Sequence, residues 1–131
     1  MANSAPPAQV QRIIRLAMLS GVLIFGAIIY CLRSTGAVGN TLEADDSSIF
    51  PMAAMGLVFM AGGAVFLFRR LIEQSADEAR RFQLSLVAFA LCEGAALFGS
   101  VLWLLSGVYL PYLAGVGVFV MAFAWIPGPA E

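Results

Sequence analysis

Between Arg15 and Arg33 the chain runs for 17 residues without a charged side chain, and it does something similar three more times. Residues 49–68 are apolar up to Arg69-Arg70. Residues 82–105 contain a single charge, Glu93, and residues 108–126 are apolar up to Pro127. Each stretch is close to the ~20 residues a helix needs to cross ~30 Å of hydrocarbon. None alternates with period two, so a membrane barrel is not indicated. With 61% of residues hydrophobic and 11% charged, the chain departs far from the roughly one-half and one-quarter of soluble domains. A short chain cannot hide that excess from water, and disordered chains lack it altogether. The expectation is an all-α integral membrane protein. It would form a single domain over residues 1–131, with transmembrane helices near 8–32, 49–70, 76–105 and 109–126.

The arginines orient these helices. Arg12 and Arg15 precede the first, and Arg69, Arg70, Arg80 and Arg81 lie between the second and third. The segment between the first two carries Arg33 against Glu43, Asp45 and Asp46. The positive-inside bias places both termini and the 69–81 loop in the cytoplasm. A bacterial-type inner (cytoplasmic) membrane is the expected location. The residues around Cys31 offer no convincing processing site, so the first helix reads as retained rather than as a cleaved leader.

Several function classes fall away. The seven basic residues are all arginine and oppose eight acids without forming a basic block, so nucleic acid is not an expected partner. Histidine is absent, which removes the usual metal ligand and the usual general base. Cys31 and Cys92 have no metal-ligand spacing and lie at different depths, so neither metal nor disulfide is expected. No nucleophile–base pair is present either. An enzyme is not expected, and no cofactor is implied.

The loops carry punctuation. Ser75-Ala76-Asp77-Glu78 reads as a capping box with Ser75 at the N-cap, and Pro51 and Pro111 fall near helix starts. Met1 to Pro7 and Pro127 to Glu131 read as flexible ends. The chain also matches itself. At an offset of 73, Ala17, Gly21, Phe25, Gly26 and Leu32 fall on Ala90, Gly94, Phe98, Gly99 and Leu105. At an offset of 60, Pro51, Ala54, Val58 and Phe59 fall on Pro111, Ala114, Val118 and Phe119. This reads as two tandem helical hairpins, residues 8–70 and 76–126. Ser20 then occupies in the first the place of Glu93 in the second.

Glu93 is the residue that demands an account. It lies 11 residues past Phe82, which at 1.5 Å per residue is ~16 Å, close to the bilayer midplane. Ionised there, a carboxylate costs several kcal/mol unless a cation or water reaches it. No arginine falls at a matching depth in the other stretches. A carboxyl that is neutral in lipid and ionises on reaching water meets the physical requirement for carrying a proton. Ser20 is a possible hydrogen-bonding partner. Small residues surround the acid and line the other helices: Gly56, Gly62, Gly63, Gly94, Gly99, Gly115 and Gly117 are the candidate positions for close helix packing.

Residues Leu84 to Gly107, with Glu93, small residues at Gly94 to Ala96, and then Leu97-Phe98-Gly99, resemble the carboxylate-bearing helix of the rotor-ring proteolipids (c subunits) of rotary ATP synthases and ATPases. A Gly/Ala-rich helix and an arginine-bearing loop precede it, as in that family, and the likeness covers residues 56–107. The resemblance implies that Glu93 is the ion-carrying carboxyl. The departures are a helix 2 without a regular Gly-x-Gly-x-Gly run, a loop without the Arg-Gln/Asn-Pro signature, and an acid on the third helix of four. The chain is thus similar to a divergent member. Helix 2 holds no Gln, Ser or Thr for Na⁺, which leaves H⁺ as the ion.

The leading expectation is a small proteolipid-like subunit in the lipid bilayer, assembling with copies of itself or with other membrane subunits. Glu93 would bind or relay protons. The alternative is a structural or assembly subunit in which Glu93 only locks helix packing.

Overall fold

The computed structural model describes residues 7–37, 39 and 49–126. Glu43, Asp45 and Asp46 of the acidic segment, residues 1–6 and the 127–131 tail lie outside the described residues. Among the described residues there are four helices: α1 (Ala8–Ser34), α2 (Ile49–Gln74), α3 (Glu78–Ser106) and α4 (Leu110–Trp125). The first three are long and apolar enough to cross a membrane. The fourth has 16 residues, ~24 Å at 1.5 Å per residue, and is shorter than its 108–126 apolar stretch. Pro111 opens it, Tyr109 is still outside it, and Ile126 has already turned to an extended backbone.

The helix ends follow from local chemistry. Three backbone features close α1. Gly36 takes a left-handed φ of 73°, the Ala37 N–H donates to the Leu32 carbonyl at 3.1 Å, and the Gly36 N–H donates to Arg33 O at 3.2 Å. Together they form the two-bond glycine stop that satisfies carbonyls a helix end leaves open. Gly107, with φ 80°, ends α3 in a similar way, its N–H donating to Trp103 O at 2.9 Å. The expected cap at Ser75 is displaced. Asp77 is the N-cap of α3, accepting from the Ala79 N–H at 3.1 Å, while the Ser75 N–H donates back to Ile72 O and finishes α2. A carboxylate at the positive end of the helix dipole outcompetes a hydroxyl two residues earlier. α2 meanwhile continues past its apolar stretch, supported by an exposed Arg69–Glu73 pair at 3.0 Å one turn apart.

Of the two tandem hairpins expected, α3 and α4 pack closely as one, whereas α1 and α2 do not. α3 packs on all three others, α4 joins α1 and α2 as well, and α1 and α2, although consecutive, scarcely touch. The main core lies between α2, α3 and α4 and contains Val58, Val65, Phe89, Cys92 and Phe119. Phe89 touches Arg15 of α1 and Phe123 of α4, so the start of α1 and the end of α4 lie at the same end of the bundle. Most of the outer surface is apolar, with Met52, Phe59 and Met60 all more than 70% exposed. In water that much contiguous apolar area is a liability, whereas in lipid it is the expected outer face.

Two glycines set the α3–α4 spacing. A methyl group at Gly99 would come within 2.7 Å of Tyr112 N and 2.8 Å of Pro111 C, and one at Gly115 within 2.7 Å of Ala96 Cα. These neighbours are backbone or the adjoining Ala96, so no flexible side chain is available to move aside. Overpacking of this kind typically costs 1–3 kcal/mol. Gly99→Ala and Gly115→Ala are therefore expected to lower unfolding free energy by about 2 kcal/mol or more each. Gly56→Ala and Gly117→Ala, where an added methyl meets nothing within 4 Å in the chain, should leave monomer stability unchanged or raise it by up to ~1 kcal/mol. Unfolding in mixed detergent checks both. Equal losses at all four positions would refute the assignment of close contact to the first pair.

Candidate functional site

The position of Glu93 follows from the helical repeat of α3. Cys92, Ala95 and Ala96 are buried against α2 and α4, and Ala90, Leu91 and Gly94 are exposed. Glu93 lies at the margin between these faces and is half-buried. Four residues on either side of it, one turn away on the same stripe, are buried Phe89 and half-buried Leu97.

The neighbouring face belongs to α1. Its buried and half-buried residues Gln11, Arg15, Met18, Val22, Gly26, Ile29 and Arg33 recur every three or four positions and form one stripe against α3 and α4. At the far end of this seam Arg33 Nη1 donates to Leu104 O at 2.9 Å. At the near end the Arg15 guanidinium lies over the Phe89 ring, 4.9 Å from its centroid. This is the cation–π geometry. Phe89 is one turn before Glu93 on α3, so the contact lies a turn short of the acid rather than level with it.

Ser20 is not joined to Glu93 within the chain. It is exposed, two residues before buried Val22 and therefore on the opposite side of α1. Among the described residues, Glu93 takes part in no hydrogen bond or ion pair. The hydroxyls in this part of the bundle are satisfied locally, Ser85 Oγ donating to Phe82 O at 2.9 Å and Ser100 Oγ to Leu97 O at 2.6 Å. Of the seven candidate glycines, Gly99 and Gly115 lie at the α3–α4 contact. Methyl groups at Gly56, Gly62, Gly63, Gly94 and Gly117 would meet nothing within 4 Å of this chain. Among the described residues no cluster of His, Cys, Asp or Glu is arranged to hold a metal. Cys31 is exposed and Cys92 buried, both as free thiols.

Above the acid, toward the far end, α1 is fastened to α4. The Tyr112 hydroxyl donates to Val22 O at 3.1 Å, and it reaches that carbonyl through the notch that Gly26 leaves by lacking a side chain. The Tyr112 ring packs on Trp103 with centroids 5.4 Å apart. Trp103 also meets Tyr30 and Tyr109. Sequence reasoning missed this latch and the Arg15 contact. The signal available was the spacing of Gln11 and Arg15, which continues the Val22–Gly26–Ile29 stripe below the apolar stretch.

Tyr112→Phe removes the latch bond while keeping the ring, and is expected to cost about 1 kcal/mol of stability. Gly26→Ala, which fills the notch, should cost more and should lose most of its effect when combined with Tyr112→Ala. Additive losses in that double variant, measured by detergent unfolding, would show that the two residues do not meet. No family model, curated protein or solved structure matches the chain.

Proposed function

We propose that this chain is a small proteolipid-like membrane subunit that assembles into a larger membrane complex, with Glu93 binding or relaying protons. The observation that carries the reading is the placement of Glu93. It is a half-buried carboxyl on the helix that contacts all the others, and no hydrogen bond to a described residue holds it. A carboxyl serving only to lock helices together needs a bonded partner, because an unsatisfied polar group in hydrocarbon is a cost rather than a fastener. The remaining charges in the described residues stand near helix ends.

In this reading α4 spans with the apolar residues that flank it, the local bilayer adapting to the short helix. The arginine distribution puts both termini and the α2–α3 turn in the cytoplasm of a bacterial-type inner membrane. The open glycines Gly56, Gly62, Gly63, Gly94 and Gly117 are then surfaces for further subunits, copies of this chain or others, since small residues let helices approach closely. The likeness of residues 84–107 to rotor-ring proteolipids supports the same assignment of Glu93. H⁺ is the ion of choice because the apolar part of α2 has no Gln, Ser or Thr for Na⁺.

The assay is reaction with a hydrophobic carbodiimide, followed by mass spectrometry, together with proton transfer by the reconstituted assembly. Glu93 should be the labelled residue. Glu93→Gln should abolish labelling and slow proton transfer by at least about a hundredfold, with folding free energy within ~1 kcal/mol of the parent. A Glu93 that fails to react at any pH, or a fully active Glu93→Gln protein, would rule out the proton role.

A further inference from the structure

The near end of the bundle carries more basic charge than its own acids balance. Arg69 and Arg70 close the apolar part of α2, and Arg80 and Arg81 follow the turn into α3, against Glu73, Asp77 and Glu78. From the structure we infer that Arg69 and Arg70 form a binding site for the phosphate of an anionic phospholipid, at the edge of the α2–α4 contact. The site stands apart from Glu93 and from proton transfer.

The helical repeat puts it together. Phe66, Arg69, Arg70 and Glu73 are spaced three and four residues apart and so share one side of α2. The Arg70 guanidinium lies over the Phe66 ring, 5.1 Å from its centroid. The Arg69 guanidinium lies over the Trp125 ring at 5.5 Å, which brings the last residue of α4 beside the same stripe. Arg69 Nε also donates to Glu73 Oε1 at 3.0 Å. Two guanidiniums thus stand at neighbouring positions, each held on an aromatic face. Holding them there in advance reduces the side-chain freedom lost when a ligand binds.

The remaining donors are uncommitted among the described residues. Glu73 engages the Nε of Arg69, and the two Nη groups make no hydrogen bond or ion pair to a described residue. Arg70 is exposed, and the Phe66 ring is its contact. A guanidinium presents its N–H groups in a planar fork that matches two oxygens of one phosphate. Stacking occupies the flat face of that group and leaves the donor edge open.

Depth decides what supplies the phosphate. The uncharged run of α2 ends at Arg69, so Phe66 belongs to its last turn. Arg70 lies back over that turn rather than reaching beyond the helix end. Phe66 is 54% exposed and Trp125 46%. Exposed rings beside arginines at the end of an apolar helix belong where acyl chains meet headgroups. The anion abundant at that level is the lipid phosphate. Two arginines and one carboxylate leave the stripe with one net positive charge. A zwitterionic headgroup would bring an ammonium back against this surface, whereas the uncompensated phosphate of phosphatidylglycerol satisfies it.

The test places the full chain in phosphatidylcholine vesicles that contain a small fraction of phosphatidylglycerol with brominated chains. Trp103→Phe is included throughout, so that Trp125 is the sole tryptophan. Bromine quenches tryptophan fluorescence on contact, and Trp125 therefore reports occupancy of the adjoining site. Brominated phosphatidylglycerol should be preferred to brominated phosphatidylcholine by at least about fivefold. Arg69→Gln and Arg70→Gln should each remove most of that preference. Arg80→Gln, exposed at the same end but on α3, should stay within about twofold of the parent. An equal loss in Arg80→Gln would mean attraction to the charged end as a whole and would overturn the site. So would a parent without preference. Competition by millimolar inorganic phosphate would show a site for free anions and overturn the assignment to lipid. If a variant does not fold, lipid retention by the unaltered chain in neutral detergent, read by mass spectrometry, decides instead. Retention of phosphatidylglycerol no greater than that of phosphatidylcholine overturns the inference.

Discussion

The near-contact of α3 and α4 is the constraint on which the rest of the bundle depends. Gly99 meets the Pro111–Tyr112 backbone and Gly115 meets Ala96. At these two points the separation is set by backbone rather than by side chains. Between lipid-immersed helices no hydrophobic force drives association, so dispersion contact at short range and hydrogen bonding must supply it. Once α3 and α4 are drawn together, Phe89 stacks against Phe119 and Phe123, and Tyr112 is carried to where its hydroxyl reaches α1. α1 then has no need of α2. Its register is fixed by the Tyr112 latch in the middle and by Arg33 on Leu104 O near the far end.

That register gives Glu93 its setting. The observed position puts the guanidinium on the ring next to Glu93.

Much of the architecture was legible in the chain. The four apolar stretches located four helices, because the bilayer-scale run of uncharged residues is the strongest periodic signal a sequence carries. Glu93 stood out for the same reason, as a lone charge in such a run. The errors came from reading each stretch by itself. The α3 cap moved from Ser75 to Asp77 because both are good caps and the local sequence does not say where α2 stops. The repeat suggested two tandem hairpins, yet small coincident residues do not specify which faces meet, and α1 and α2 scarcely touch. Gly99 and Gly94 are equally small, and one is pressed against Tyr112 while the other faces outward. Ser20 matched Glu93 in position along the helix but not in direction around it.

By itself the sequence determined the helices and the presence of one carboxyl inside a long apolar stretch, since both follow from the character of single residues and single segments. The tertiary structure decided which glycines bear contacts, that α3 rather than either hairpin is the centre, and that Ser20 turns away from the seam where Arg15 meets Phe89. These depend on the relative rotation and translation of helices. Such quantities are set by a few close contacts between residues far apart in the chain, and no local pattern encodes them.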